Sequence, residues 1–174
     1  GYNGSYPGPT IRVQRNQPIT VNWINKLVDA QGNPLPHLLP IDSTLHWADP
    51  LNQGHVPGPY LGPVPVVTHV HGAHTEWSSD GLPDAWFTPD SNDPDSLPDY
   101  TGSLYKPVYN YANDQQAATL WYHDHALGIT RLNVYAGLAG FYLVNDRYEA
   151  SLSLPKGKYD IPIVIQDRMF DVNG

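Results

Sequence analysis

The chain has 174 residues, of which 40% are hydrophobic, with 15 glycines, 18 prolines and no cysteine. Its length predicts one domain or slightly more, and the absence of thiols excludes disulfides and thiolate-ligated metals within the chain. Nine Lys and Arg against 17 Asp and Glu give a net charge of -8, which argues against nucleic acid and anionic membrane surfaces as partners. No run approaches the ~18 apolar residues of a transmembrane helix, and no signal peptide opens the sequence.

Short runs of β-branched and aromatic residues, separated by glycine and proline, predict an all-β sandwich or barrel. Strands are expected over residues 10–13 and 18–24, followed by a long irregular connection over residues 29–65. Three histidines of this connection are interpreted as partly exposed loop residues: His37, His46 and His55.

A His-x-His motif lies in each of two runs with strand composition, over residues 66–72 and 120–125. Side chains two residues apart on a strand point to the same face, roughly 6.6 Å apart along it. The pairs that share a face are His69 with His71 and His123 with His125. If the two faces meet, four imidazoles converge on one small volume, which indicates a metal site because unpaired polar groups are costly to bury.

The residues beside the histidines of the second motif are expected to support the structure. Trp121 and Tyr122 are expected to pack in the core, where aromatic residues dominate the energetics. Asp124 is expected to point away from the two histidines. There it could orient a neighbouring ligand or Arg131, or accept a hydrogen bond from a backbone donor.

A second irregular segment, over residues 73–102, is rich in aspartate. All of its carboxylates except Asp80 are interpreted as a solvated acidic loop: Asp84, Asp90, Asp93, Asp95 and Asp99. The remaining expected elements are strands over residues 105–111, 136–144 and 160–165, and a short helix or turn over residues 126–134.

Imidazole ligands alone do not identify the metal, since they bind copper, zinc, iron and nickel. One alternative is a self-contained zinc hydrolase that uses His69, His71 and His74 with an open position for an activated water.

Four stretches of the sequence closely resemble the first domain of multicopper oxidases. They are Thr68-His69-Val70-His71-Gly72, Ser79-Asp80-Gly81-Leu82-Pro83-Asp84-Ala85-Trp86-Phe87, Leu120-Trp121-Tyr122-His123-Asp124-His125 and Thr130-Arg131-Leu132-Asn133-Val134-Tyr135-Ala136-Gly137-Leu138-Ala139-Gly140. The chain is most similar to the branch of bacterial spore-coat laccases, bilirubin oxidases and phenoxazinone synthases, because Asp124 stands between the second pair of histidines.

The resemblance implies an all-β, Greek-key β-sandwich of the cupredoxin type, with long irregular loops, over residues 1–150. Residues 151–174 would form a connection and the first strand leading into the next domain. Neither end of the sequence resembles a natural terminus, so a fragment, or one chain of several, is expected.

The resemblance also implies roles for the site residues. His69 would bind the type 2 copper, His71 and His123 one copper of the type 3 pair, and His125 the other. Asp80 would assist proton delivery to reduced dioxygen. The other histidine ligands and a cysteine-bound type 1 copper are expected in the missing part, because the corresponding motifs are absent from this sequence.

The implied function is part of a laccase-like oxidase that oxidises phenolic, aminophenolic or bilirubin-like substrates and reduces dioxygen by four electrons to water. This chain would supply half of the ligands of a trinuclear copper cluster. Its partners would be the remaining cupredoxin domains, dioxygen and a small aromatic reductant. The family is largely secreted, periplasmic or spore-associated, and the sequence leaves the compartment open. A non-catalytic copper-binding module of the same fold is a further alternative.

Overall fold

The computed structural model of the protein describes residues 1–54, 56–90 and 98–172. The strands are β1 (Gly8–Gln14), β2 (Ile19–Asn22), β3 (Thr68–His71), β4 (Val108–Tyr111), β5 (Ala118–Asp124) and β6 (Ala139–Asn145). The helices are α1 (Thr130–Tyr135) and α2 (Arg147–Ser151), and single 3-10 turns lie at Tyr2–Gly4, Trp77–Ser79, Pro83–Ala85 and Gly157–Tyr159. None of the helices in these ranges is long and apolar enough to cross a bilayer.

The strands form a four-stranded sheet in the order β1-β6-β5-β3 and a two-stranded sheet of β2 and β4. β1 runs parallel to β6, whereas β5 is antiparallel to both of its neighbours. The prediction of an all-β fold is therefore confirmed. Within the larger sheet, β5 lies between two strands, and β3 stands at an edge.

The core joins the two sheets through buried residues of both. Its largest fully buried side chains include Tyr111 of β4, Tyr122 of β5 and Tyr142 of β6. The glycine of β6 is required for this packing, because a Cβ atom on Gly140 would lie 2.4 Å from the Tyr122 ring. Tyr122 also donates its hydroxyl hydrogen to Pro9 O at 2.6 Å, which ties β5 to β1.

One predicted strand is wrong. Residues 160–165 have strand composition, but the structure assigns them no regular structure. They pair with no strand of the described ranges, and a β-ladder requires a hydrogen-bonding partner. Ile161, Ile163 and Ile165 are consequently 67%, 72% and 94% exposed. The expectations for His55, Asp93 and Asp95 lie outside the described residues.

Candidate metal centre

Strands β3 and β5 bring the two His-x-His motifs together, as predicted. They pair antiparallel with His69 opposite His123 and His71 opposite Trp121. Directly opposed residues of an antiparallel pair project to the same face. His125 directly follows β5 and lies on that face too, where its ring stacks on the His69 ring. The other face enters the core, where Thr68, Val70, Tyr122 and Asp124 are at most 2% exposed.

The imidazoles are close enough to share metal ions. Among the described residues, ligand nitrogens of His69, His71 and His123 all lie within 4.8 Å of one another. His71 Nδ1 is 3.2 Å from His123 Nε2. Two nitrogens that bind one ion at about 2 Å each lie at most ~4 Å apart, so this pair fits a single ion. The His125 ring stacks on the His69 ring with centroids 4.9 Å apart. Imidazole nitrogen is a suitable donor for copper.

Backbone carbonyls fix the orientation of three of the four rings through Nδ1. The pairs are His69 with Asp80 O at 2.5 Å, His123 with Asp124 O at 2.6 Å and His125 with Gly81 O at 3.0 Å. A carbonyl can only accept, so each Nδ1 carries the hydrogen. Each Nε2 therefore keeps its lone pair for a metal.

Burial holds two of the rings in the neutral form that binds metals. Desolvation lowers the pKa of His123 to about 4, assisted by the neighbouring histidines and opposed by its hydrogen bond to the Asp124 carbonyl. Desolvation also lowers the pKa of His125, with His69 as the next cause. A proton competes with a metal for the same lone pair. Both rings are thus ready to bind a metal at neutral pH.

Trp121 contributes to the site, contrary to the expectation that it packs in the core. It is 40% exposed, whereas Tyr122 is buried as predicted. Its indole lies 4.1 Å from the His123 ring and stacks on His71 at 5.6 Å, measured between ring centroids. The sequence signal was available, because Trp121 stands two residues before His123 and so shares its face.

Asp80 lies beside the histidines, and His74 does not. Asp80 Oδ1 is 3.4 Å from His69 Nδ1, and the aspartate side chain is 30% exposed. The His74 side chain is 68% exposed, and its Nδ1 lies 3.3 Å from Asp114 Oδ1. The group of ligand nitrogens within 4.8 Å of one another in the described ranges comprises His69, His71 and His123, and it includes neither His74 nor His125.

Asp124 points away from the histidines, as predicted, and it is fully buried. Of the alternatives left open, backbone donors are confirmed: Val67 N at 2.9 Å and Ala126 N at 3.0 Å. The Asn133 amide donates to the same carboxylate at 2.9 Å. Burial raises the pKa of Asp124 to about 7, although all three hydrogen bonds act in the opposite direction.

Solved structures share the fold of this chain. A laccase from Pediococcus acidilactici superposes with a TM-score of 0.58 at 23% identity, over 92% of this chain and 24% of its own length. The McoA multicopper oxidase from Aquifex aeolicus gives a TM-score of 0.58 at 22% identity, over 99% of this chain and 28% of its own. These likenesses confirm the predicted cupredoxin-type sandwich.

Two relatives found by sequence share a larger fraction of identical residues with this chain than these solved structures do. A laccase from Bacillus stratosphericus is 51% identical over 99% of this chain, and one from Bacillus subtilis (strain 168) is 46% identical over all of it. The chain spans 30% of the length of each of these relatives. A family model described as multicopper oxidase matches residues 1–50 and 61–149. The chain therefore belongs to the multicopper oxidase family, whose cofactor is copper.

Proposed function

We propose that this chain supplies half of the ligands of a trinuclear copper cluster in a laccase-type oxidase. The oxidase would reduce dioxygen by four electrons to water while it oxidises phenolic, aminophenolic or bilirubin-like compounds. One observation carries the proposal: facing His-x-His motifs place ligand nitrogens of three histidines within 4.8 Å of one another. Relatives that are 51% and 46% identical and named laccase support the reaction class.

The ligand roles follow the positions on the two strands. We assign His69 to a type 2 copper, His71 and His123 to one type 3 copper, and His125 to the other. The 3.2 Å separation of His71 Nδ1 and His123 Nε2 supports their sharing one ion. Copper, when bound, would supply the one-electron steps that dioxygen reduction needs.

The remaining ligands and a type 1 copper would come from other cupredoxin domains of the same protein. Residues 1–150 would be the first such domain, and residues 151–174 would lead into the next. The exposed isoleucines at 161, 163 and 165 support this division, because their apolar surface lacks a covering partner within the described residues.

The protein residues of the site orient three of the four ligand rings. Three Nδ1–H groups donate to backbone carbonyls, so the rings need no reorientation to bind a metal. Trp121 covers His71 and His123 on one side. Asp80 would carry protons, a role that the contacts of its carboxylate with both His69 and solvent support.

Replacing Asp80 by Asn is expected to slow dioxygen reduction by about 100-fold, the scale of general acid–base catalysis, because an amide cannot relay a proton. Copper content should stay unchanged, since the backbone carbonyl that fixes His69 remains. Oxygen uptake across pH and copper analysis measure the two effects. Asp84→Asn, at an exposed carboxylate on the 3-10 turn Pro83–Ala85, is the matched control. Equal rates for the two variants would contradict the role of Asp80.

The intact protein tests the function as a whole. We expect more than one copper ion per chain, and four reductant electrons used for each dioxygen, without release of hydrogen peroxide. Bound zinc, with hydrolysis and no oxygen uptake, would favour the zinc hydrolase. Bound copper without oxygen uptake would favour a non-catalytic module.

A further inference from the structure

A single carboxylate joins the two strands that carry the histidines. Asp124 Oδ1 accepts from Val67 N at 2.9 Å, and Oδ2 accepts from Ala126 N at 3.0 Å. Val67 lies two residues before His69, and Ala126 directly follows His125. Asp124 therefore links the backbone at the start of one His-x-His motif to the backbone at the end of the other.

Asn133 of α1 holds this carboxylate in place. Its Nδ2 donates to Asp124 Oδ2 at 2.9 Å and to Pro65 O at 3.0 Å. Both amide hydrogens are thus directed at oxygen atoms that accept them, which settles the orientation of the amide. Its Oδ1 then faces His37, whose Nε2 lies 2.6 Å away. Asn133 is 1% exposed, so its amide group depends on these partners for hydrogen bonds.

His37 completes the network from the long connection before β3. Because Asn133 Oδ1 can only accept, His37 must donate its Nε2–H. The other ring nitrogen, Nδ1, accepts the backbone N–H of Leu39 at 3.1 Å. A histidine interpreted from the sequence as a loop residue is therefore the outer end of a hydrogen-bond network that reaches the metal-ligand strands.

We propose that Asp124, Asn133 and His37 are positioning residues that set the spacing of the two His-x-His motifs and thereby the affinity of the site for copper. The inference rests on the proposed function. The network acts through the backbone, since Val67 and Ala126 flank the ligands of β3 and β5. Outer hydrogen-bond partners of metal ligands commonly change metal affinity by about 10–100-fold.

Asn25 provides a matched control, because it is a buried asparagine that also holds the segment before β3 but makes no hydrogen bond to Asp124. It is 6% exposed, and its Nδ2 donates to Val64 O at 2.9 Å and Phe87 O at 3.1 Å. Its Oδ1 accepts from Leu27 N at 3.1 Å. Asn25 thus ties irregular segments together as Asn133 does, but it donates to neither Asp124 nor the ligand strands.

The experiment compares Asn133→Leu with Asn25→Leu in the intact, copper-loaded protein. Copper affinity is measured by competition with a chelator, the copper environment by electron paramagnetic resonance, and stability by the thermal unfolding temperature. We expect both variants to unfold at lower temperature, but only Asn133→Leu to weaken copper binding, by about 10-fold or more, and to alter the resonance spectrum. Equal copper affinities at an equal loss of unfolding temperature would overturn the inference.

A second pair of variants tests His37 even if Asn133→Leu does not fold. In His37→Gln the amide nitrogen can still donate to Asn133 Oδ1, whereas His37→Phe has no donor. We expect copper affinity to be retained in the first and reduced in the second. If the Phe variant matches the wild type, the inference fails while the proposed function stands. A wild-type protein that holds no copper would overturn the proposed function itself.

Discussion

Replacing His71 by Ala is expected to remove copper from the site and to lower dioxygen reduction by more than about 100-fold, beyond the usual effect of losing an outer hydrogen-bond partner. His71 Nδ1 lies 3.2 Å from His123 Nε2, so the change deletes one of two nitrogens placed to bind the same ion. His71 is exposed, and its removal should leave the fold intact. Copper analysis, oxygen uptake and thermal unfolding of the intact protein measure the three effects.

His74→Ala is the control for this change. His74 is also exposed and lies three residues further along the chain, where it pairs with Asp114 rather than with the other histidines. We expect it to retain copper and activity. Loss of metal from both variants would instead support the alternative site of His69, His71 and His74, and would count against the copper cluster.

Replacing Gly81 by Ala is expected to lower the free energy of unfolding by about 3 kcal/mol or more, in the range of the most damaging single substitutions. Gly81 has φ +69°, and a Cβ atom there would lie 2.1 Å from Thr68 O and 2.9 Å from His69 Cα. β3 must therefore shift. The Gly81 carbonyl also accepts the His125 Nδ1–H, so copper affinity should fall together with stability.

Gly4→Ala separates the steric clash from the backbone conformation. Gly4 has nearly the same φ, +68°, but no atom lies within 4 Å of its added Cβ. Only the cost of the left-handed conformation should remain, about 1–2 kcal/mol. Urea unfolding followed by tryptophan fluorescence gives both free energies. Similar decreases in the free energy of unfolding for the two variants would show that β3 can move away from the added Cβ atom at little cost.

The facing histidines could be predicted because period-two alternation fixes which side chains share a face of a strand. The register of β3 against β5 could not, since many residues, among them those of β4, separate the two strands and carry no information on how they pair. The segment 160–165 was predicted as a strand from its composition alone. That prediction was wrong for a related reason, because strand composition does not show whether another strand is present to pair with it.

The hydrogen-bond network of Asp124, Asn133 and His37 could not be predicted from the sequence. His37 and Asn133 are 96 residues apart, and neither lies in a periodic pattern that would place them together. Asp124 was assigned to the correct face, but its donors come from three separate segments. Asp80 was selected by the family resemblance, since a carboxylate in an acidic loop has no distinctive pattern of its own.

Because β3 lies at the edge of the sheet, the two strands that carry the histidines are held to different degrees. β5 is hydrogen-bonded on both sides, by β3 and β6, so His123 sits on a strand that two neighbours hold. Among the residues that the structure describes, β3 pairs with β5 alone, and irregular connections precede and follow it. Insertions in those connections can therefore alter the approach to the histidines without moving the central strand. Such a fold can therefore change which molecules reach its metal centre while the ligand histidines keep their register.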